Sequence, residues 1–303
     1  MKVEIFDVEH GQCAMITCPP NGKKLMIDAG HNTGKWRPSI HFAGCDIENL
    51  VITNFDEDHT SDVASVRALC NVNFIYRNPS VTAAALRRMK AEHGMGVGVK
   101  HLHDWLVDVE SRSGNSSIAS DLGYVGVNYY WVPYPTFTDA NNLSLVSFVS
   151  YGSFTILFPG DLERQGWKHL LANPNFVADV QRTTVLVASH HGRDNGCCDE
   201  LFNGLGTLTG WMPEATIISD AGKEYATQET VAWYANRTVG CKSRDGNNRK
   251  VFTTRRDGNI TIDVGSDGRW GIGSSGTTRP PSTASVIGSG LLLGGGLGLL
   301  GRR

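Results

Sequence analysis

The spacing of apolar positions changes along the chain, and each change marks an element. At the start, "KVEIFDV" (2–8), "CAMITC" (13–18) and "KLMIDAG" (24–30) are short apolar runs between turn residues, which predicts successive hairpin strands. "NLVITNF" (49–55) is more continuously apolar, as expected of an inner strand. The period then lengthens. Val63, Val66 and Leu69 fall at helical spacing after Thr60 or Ser61 as a cap. A strand is expected at 72–76, a helix at 81–94 closed by Gly94, and a second helix at 99–110. From 143 the pattern returns to sheet, with two strands in 143–161 around Tyr151–Gly152 and an amphipathic helix at 162–172. Strands at 183–192 and 215–222, a helix at 227–236 and a hairpin at 250–264 turning on Asp257–Gly258 complete the series. Two halves, each sheet first and then helix, predict an α/β fold: a sandwich of two sheets with helices outside.

Composition adds limits. At 303 residues with 40% hydrophobic content, the chain can bury a full core. A net charge of -2 gives no general attraction to polyanions. Seven cysteines without zinc-type spacing, and an opening "MKVEIFDVEHGQC" with no apolar leader, read as reduced thiols in a cytoplasmic protein. The expected organisation is one folded domain over 1–272, a Gly/Ser/Thr/Pro linker over 273–285 and a Gly-rich apolar tail over 286–303. The tail's apolar run is shorter than the roughly 20 residues of a spanning helix. It reads first as a loose extension and second as a membrane contact aided by Arg302 and Arg303.

Candidate chemistry sits where strands stop. "LVITNFDEDHTSD" ends its apolar run on Asp56, Glu57, Asp58 and His59, "TILFPGD" ends on Asp161, and "VLVASHHG" ends on His190 and His191. On an extended segment Asp56 and Asp58 project to one side, where their repulsion needs a proton or a cation. Mixed imidazole and carboxylate donors suit Zn²⁺, Mn²⁺ or Fe. Taken singly, each feature has an ordinary explanation: a solvated acidic loop, a helix cap at Asp161, and a strand-end histidine pair with one ring buried. Their common placement favours a metal. No G-x-S-x-G elbow is present, and "GMGVG" (94–98) follows no strand, so it reads as a turn.

The ordered set "FDVEHGQCAMI", "LMIDAG", "LVITNFDEDHTSDV", "NNLSLVSFVSYGSFTILFPGDLE", "VLVASHHG" and "TTRRDGNITI" resembles the metallo-β-lactamase superfamily, over about residues 1–265. Within it, the chain looks most like the hydrolase domain attached to bacterial DNA-uptake (competence) channels and its soluble relatives. The resemblance implies an αββα sandwich with a metal cleft at one edge. Of the H-x-H-x-D-H signature, Asn54 and Asp56 stand at the first two positions and Asp58 and His59 at the last two. Asp161 matches the bridging carboxylate, and His190 or His191 the later histidine. Asn141, Asn142 and Ser144 stand where the superfamily has a mid-chain histidine. A histidine expected near Tyr225–Ala226–Thr227 is absent. Glu9, His10 and Gln12 replace the branch's Gly, Gln and Asp. One firm Zn²⁺ position therefore follows, on Asp58, His59, Asp161 and a histidine from 190/191. The second is weak, on Asn54, Asp56 and Asp161, and suits Mn²⁺ or Mg²⁺. His10 and His31, near the ends of the first strands, could substitute as ligands but read first as loop surface histidines.

The implied function is a hydrolase using metal-bound hydroxide, with Asp58 or Asp161 orienting the attack, on a phosphodiester of nucleic acid or a nucleotide. A basic stretch over 237–256 offers Arg249, Lys250 and Arg255 as phosphate contacts. Two alternatives stand beside it. One is a hydrolase of another ester, amide or thioester, favoured if the cleft lacks a basic rim. The other is a catalytically silent fold acting as a binding protein, favoured by the missing histidines.

Overall fold

The computed structural model describes residues 1–31, 36–112, 120–203, 210–221 and 228–276. Fifteen strands and ten helices alternate along them. The first group is β1 (Lys2–Ile5), β2 (Ala14–Cys18), β3 (Lys23–Ile27), α1 (Pro38–His41), β4 (Asp46–Val51), α2 (Glu57–Thr60), α3 (Val63–Leu69) and β5 (Asn71–Tyr76). Then follow α4 (Ala83–Met89), α5 (Val97–Ser111), β6 (Gly126–Tyr130), β7 (Val146–Tyr151), β8 (Phe154–Phe158), α6 (Arg164–Leu171), α7 (Pro174–Gln181), β9 (Val185–Val187), α8 (Glu200–Asn203) and β10 (Ala215–Ile218). The last are α9 (Val231–Ala235), β11 (Cys241–Lys242), β12 (Asn248–Arg249), β13 (Val251–Thr253), α10 (Thr254–Asp257), β14 (Ile260–Val264) and β15 (Trp270–Ser274).

One sheet has the order β15-β14-β1-β2-β3-β4-β5, the other β13-β10-β9-β8-β7-β6. Side-chain alternation explains how they stack. In β2, Ala14, Ile16 and Cys18 face the second sheet, while Met15 faces the helices. In β8, Phe154, Ile156 and Phe158 face the first sheet, while Leu157 turns toward α6 and α7. Three apolar layers result: one between the sheets, one under α1 and α3–α5, and one under α6–α9. This is the αββα arrangement expected from the sequence. β4 lies between β3 and β5, parallel to both, which accounts for its unbroken apolar run.

Several boundaries differ from expectation. Residues 250–264 are not a hairpin: β13 ends the second sheet, α10 turns the chain, and β14 enters the first sheet beside β1. The Asp257–Gly258 turn signal is real, with Gly258 at φ 67, but it carries the chain between layers. The helix at 60–70 is split into α2 and α3, with Asp56 and Asp62 at their N-caps rather than Thr60 or Ser61. β6, α7 and β15 were not foreseen, although Asn173–Pro174 is a recognisable helix start whose Asn173 side chain accepts from the Asn175 N–H. The boundary at 272/273 falls inside β15, so the folded part runs to at least residue 276. All seven cysteines are free. No described helix is long and apolar enough to cross a membrane, and the tail at 286–303 lies outside the described residues.

The inter-sheet layer should dominate stability. Phe158→Ala, at a side chain 1% exposed between the sheets, is expected to destabilise by about 3–5 kcal/mol. Val239→Ala, at a side chain 56% exposed, should shift a denaturation midpoint hardly at all. Urea unfolding of the two variants checks the contrast.

Candidate metal centre

Four side chains from three chain segments meet where inner strands of the two sheets end. Ligand atoms of Asp58, His59, Asp161 and His191 all lie within 4.8 Å of one another. Asp58 and His59 come from α2, directly after β4. Asp161 follows β8, and His191 follows β9. His59 is fully buried. Its Nε2 lies 3.0 Å from Asp161 Oδ1, and its Nδ1 lies 2.9 Å from Asp28 Oδ2. Thr53 in turn holds Asp28, donating from its N–H at 2.7 Å and from Oγ1 at 2.5 Å. His191 donates from Nδ1 to the Ser219 carbonyl at 2.9 Å, which fixes its tautomer. Its buried Nε2 makes no directed hydrogen bond, yet faces Asp58 Oδ2 at 3.2 Å and Asp161 Oδ1 at 3.6 Å.

Backbone geometry places these groups. His190 and His191 are consecutive residues in the left-handed region, both at φ 52, where few non-glycine residues sit. The chain reverses there, carrying the His191 ring back to the cluster. Asp28 is likewise left-handed at φ 57. Such strain persists where surrounding contacts over-determine it. Glycine gives a second device: a Cβ on Gly30 would stand 1.7 Å from the Asp58 carbonyl oxygen, so only glycine allows the β3 loop to touch α2.

The electrostatics match the geometry. Burial opposes ionisation of Asp161, but His59, His191 and His190 together outweigh it and hold the carboxyl down at about 2. Burial works against protonated His59 too, but Asp161 and Asp28 hold its pKa well above the ordinary imidazole value. Asp58 is lowered in the same way, its burial overcome by the His10 and His191 rings that face it and by the charge of His59. His191 is raised: burial pulls down, and Asp161 and Asp58 pull up more strongly. These carboxylates and ring nitrogens can face one another only with positive charge between them, supplied by protons or by an ion. Donors about 2.1 Å from a common ion stand about 3.0–3.4 Å apart. The observed spacings of 3.0, 3.2 and 3.6 Å fit an ion held by Asp58, His59, Asp161 and His191.

Other expected site residues have different surroundings. Asp56 and Asp58 do not alternate on an extended segment, because residues 57–60 are helical. Asp56 sits at the N-cap of α2, where its carboxylate pairs with Lys90. Asn54 is buried and hydrogen-bonded to Asn141 and Ser144. His190, buried like its neighbour, keeps Nε2 3.8 Å from Asp161 Oδ2, with Arg193 at 3.2 Å. Asp161 is not the cap of α6, a position held by Glu163. Arg249 forms a bidentate pair with Asp257, and Arg255 pairs with Asp220 at 3.0 Å, so both are engaged within the fold, while Lys250 is exposed. Residues 225–227 lie outside the described residues. His10, read as a surface histidine, instead places Nε2 3.3 Å from Asp58 Oδ2 and stacks obliquely near His191. Asp28 was also missed, although "LMIDAG" obeys the same rule of an acid at a strand end.

Comparison with known proteins bears on this centre. The profile of the metallo-β-lactamase superfamily matches residues 7–173, more than half of the chain, including Asp58, His59 and Asp161. The chain belongs to the metallo-β-lactamase superfamily. No curated protein matches it. Among solved structures, this superfamily member is similar to a protein of Parabacteroides distasonis described as a metal-dependent hydrolase, at 10% identity and TM-score 0.43, covering 83% of this chain and 92% of the other. It is also similar to the CmlA β-hydroxylase E377D mutant at 13% identity and TM-score 0.39, covering 71% of this chain and 45% of that one. CmlA from Streptomyces venezuelae, a diiron β-hydroxylase, gives 12% identity and TM-score 0.36, covering 63% and 34%. The chain therefore spans less than half the length of either CmlA protein.

Two outcomes follow. Asp28→Asn keeps the shape but removes the charge that orients His59, and should weaken metal affinity about 10–100-fold, read by titration with Zn²⁺. Ion binding requires neutral imidazoles, and His59 and His191 have raised pKa values, so binding near neutral pH should release protons and strengthen as pH rises. Calorimetry in buffers of different ionisation enthalpy counts those protons. An uptake or no change on binding would contradict the assignment.

Proposed function

We propose that this chain is a metal-dependent hydrolase with one principal ion position on Asp58, His59, Asp161 and His191, and that its ion is Zn²⁺. The convergence of those four groups, with His191 Nε2 facing two carboxylates, carries the reading. An ion there supplies Lewis acidity and lowers the pKa of a water toward about 7. The chain's own residues do the remaining work. Asp28 and the Ser219 carbonyl fix the two rings. Asp58 and Asp161 are placed to accept a hydrogen bond from the attacking water and to orient it. His10, half-buried 3.3 Å from Asp58, is placed to pass a proton to the leaving group.

Two substrate classes compete. Resemblance to the DNA-uptake hydrolase branch supports a phosphodiester, and with it a nucleic-acid or nucleotide partner. The charges favour the other class. In the basic stretch, Arg237, Arg244, Arg249 and Arg255 pair with Asp199, Asp263, Asp257 and Asp220. The cleft beside α2 and α4, about 540 Å³, carries Asp56, Glu57, Glu92 and Asp139 against Lys90 and His93. A rim of that sign disfavours a polyanionic chain. The reading best supported is hydrolysis of a carboxylic ester, amide or thioester.

Zn²⁺-loaded protein assayed on 4-nitrophenyl butyrate, an acyl thioester and bis(4-nitrophenyl) phosphate separates the classes. Faster turnover of an acyl substrate is expected, abolished by Asp161→Ala. Preferential cleavage of the phosphodiester would reverse the substrate reading. Turnover unaffected by Asp161→Ala would remove the site from the chemistry.

A further inference from the structure

The second ion position expected on Asn54, Asp56 and Asp161 does not fit the residues around it. The Asn54 side-chain N–H₂ points to Asn141 Oδ1 at 3.1 Å and Ser144 Oγ at 3.4 Å, while its oxygen accepts from the Asp56 N–H at 2.9 Å. All of its polar atoms are hydrogen-bonded within the fold. The Asp56 carboxylate accepts a hydrogen bond from Lys90 Nζ. Lys90 is set by the C-terminus of α4, its own N–H bonded to the Leu86 carbonyl at 3.1 Å, and its side chain is only 15% exposed. His190, the nearest spare imidazole to Asp161, accepts at Nε2 from Arg193. Of the three expected ligands only Asp161 remains, and the principal position shares it.

We infer that the Lys90 ammonium takes the electrostatic place of a second metal ion, so that this chain works with a single ion; the inference rests on the metal-dependent reading above. One fixed positive charge neutralises Asp56, which then offers no free carboxylate to a divalent ion.

Zn²⁺ titration calorimetry on the metal-depleted full chain, with elemental analysis after desalting, tests this. Wild type and Lys90→Arg should bind one equivalent. Lys90→Met should admit a second, weak equivalent. Asn54→His combined with Lys90→Met should bind the second at least tenfold more tightly than Lys90→Met alone. Two equivalents in wild type would overturn the role of Lys90 and leave the metal-dependent reading intact. One equivalent in the double variant would do the same. No binding in wild type would overturn both.

Discussion

The centre depends on one buried arrangement: the His59 ring held between Asp28 on one nitrogen and Asp161 on the other. Two carboxylates this deep in a protein are tolerable only with a positive charge between them. The fold is arranged to keep that charge in place. Thr53, at the end of β4, grips Asp28. Ser144 Oγ accepts a hydrogen bond from the Asp161 N–H at 3.1 Å. The glycine at position 30 lets the β3 loop close against α2. A proton can occupy the line, but His191 turns a further ring nitrogen toward Asp161 and Asp58, and a divalent ion satisfies the whole set.

The crowding of Asp56, Glu57 and Asp58 follows from the same economy of charge. The three carboxylates leave α2 in three directions. Asp56 meets Lys90. Glu57 accepts the Gly98 and Val99 N–H groups at 2.8 and 3.2 Å and so caps the N-terminus of α5. Asp58 alone enters the cluster. One short helix thereby ties α4, α5 and the centre together, and a substitution at any of the three acids acts on a different neighbour.

Much of this was legible in the sequence. Asp58, His59 and Asp161 each follow an apolar run, a shared placement that pointed to one site, and the strand order of the fold brings those ends together. The layered architecture followed from the switch between periods of two and 3.6. Other features needed coordinates. His190 and His191 are both buried and share the same left-handed turn, so only the direction of each ring separates them. Lys90 is one cation among several on a helix, and nothing in its neighbourhood names Asp56. His10 lies far from Asp58 in sequence and meets it through the β1–β2 turn. The 254–257 segment reads as a hairpin turn because a crossing between layers uses the same Asp–Gly signal.

The most direct test is anomalous diffraction at the zinc edge from crystals of the protein grown with Zn²⁺. The expected result is one strong peak about 2.0–2.2 Å from donor atoms of Asp58, His59, Asp161 and His191. No peak there, or a peak centred elsewhere, would contradict the assignment of this cluster as the metal centre.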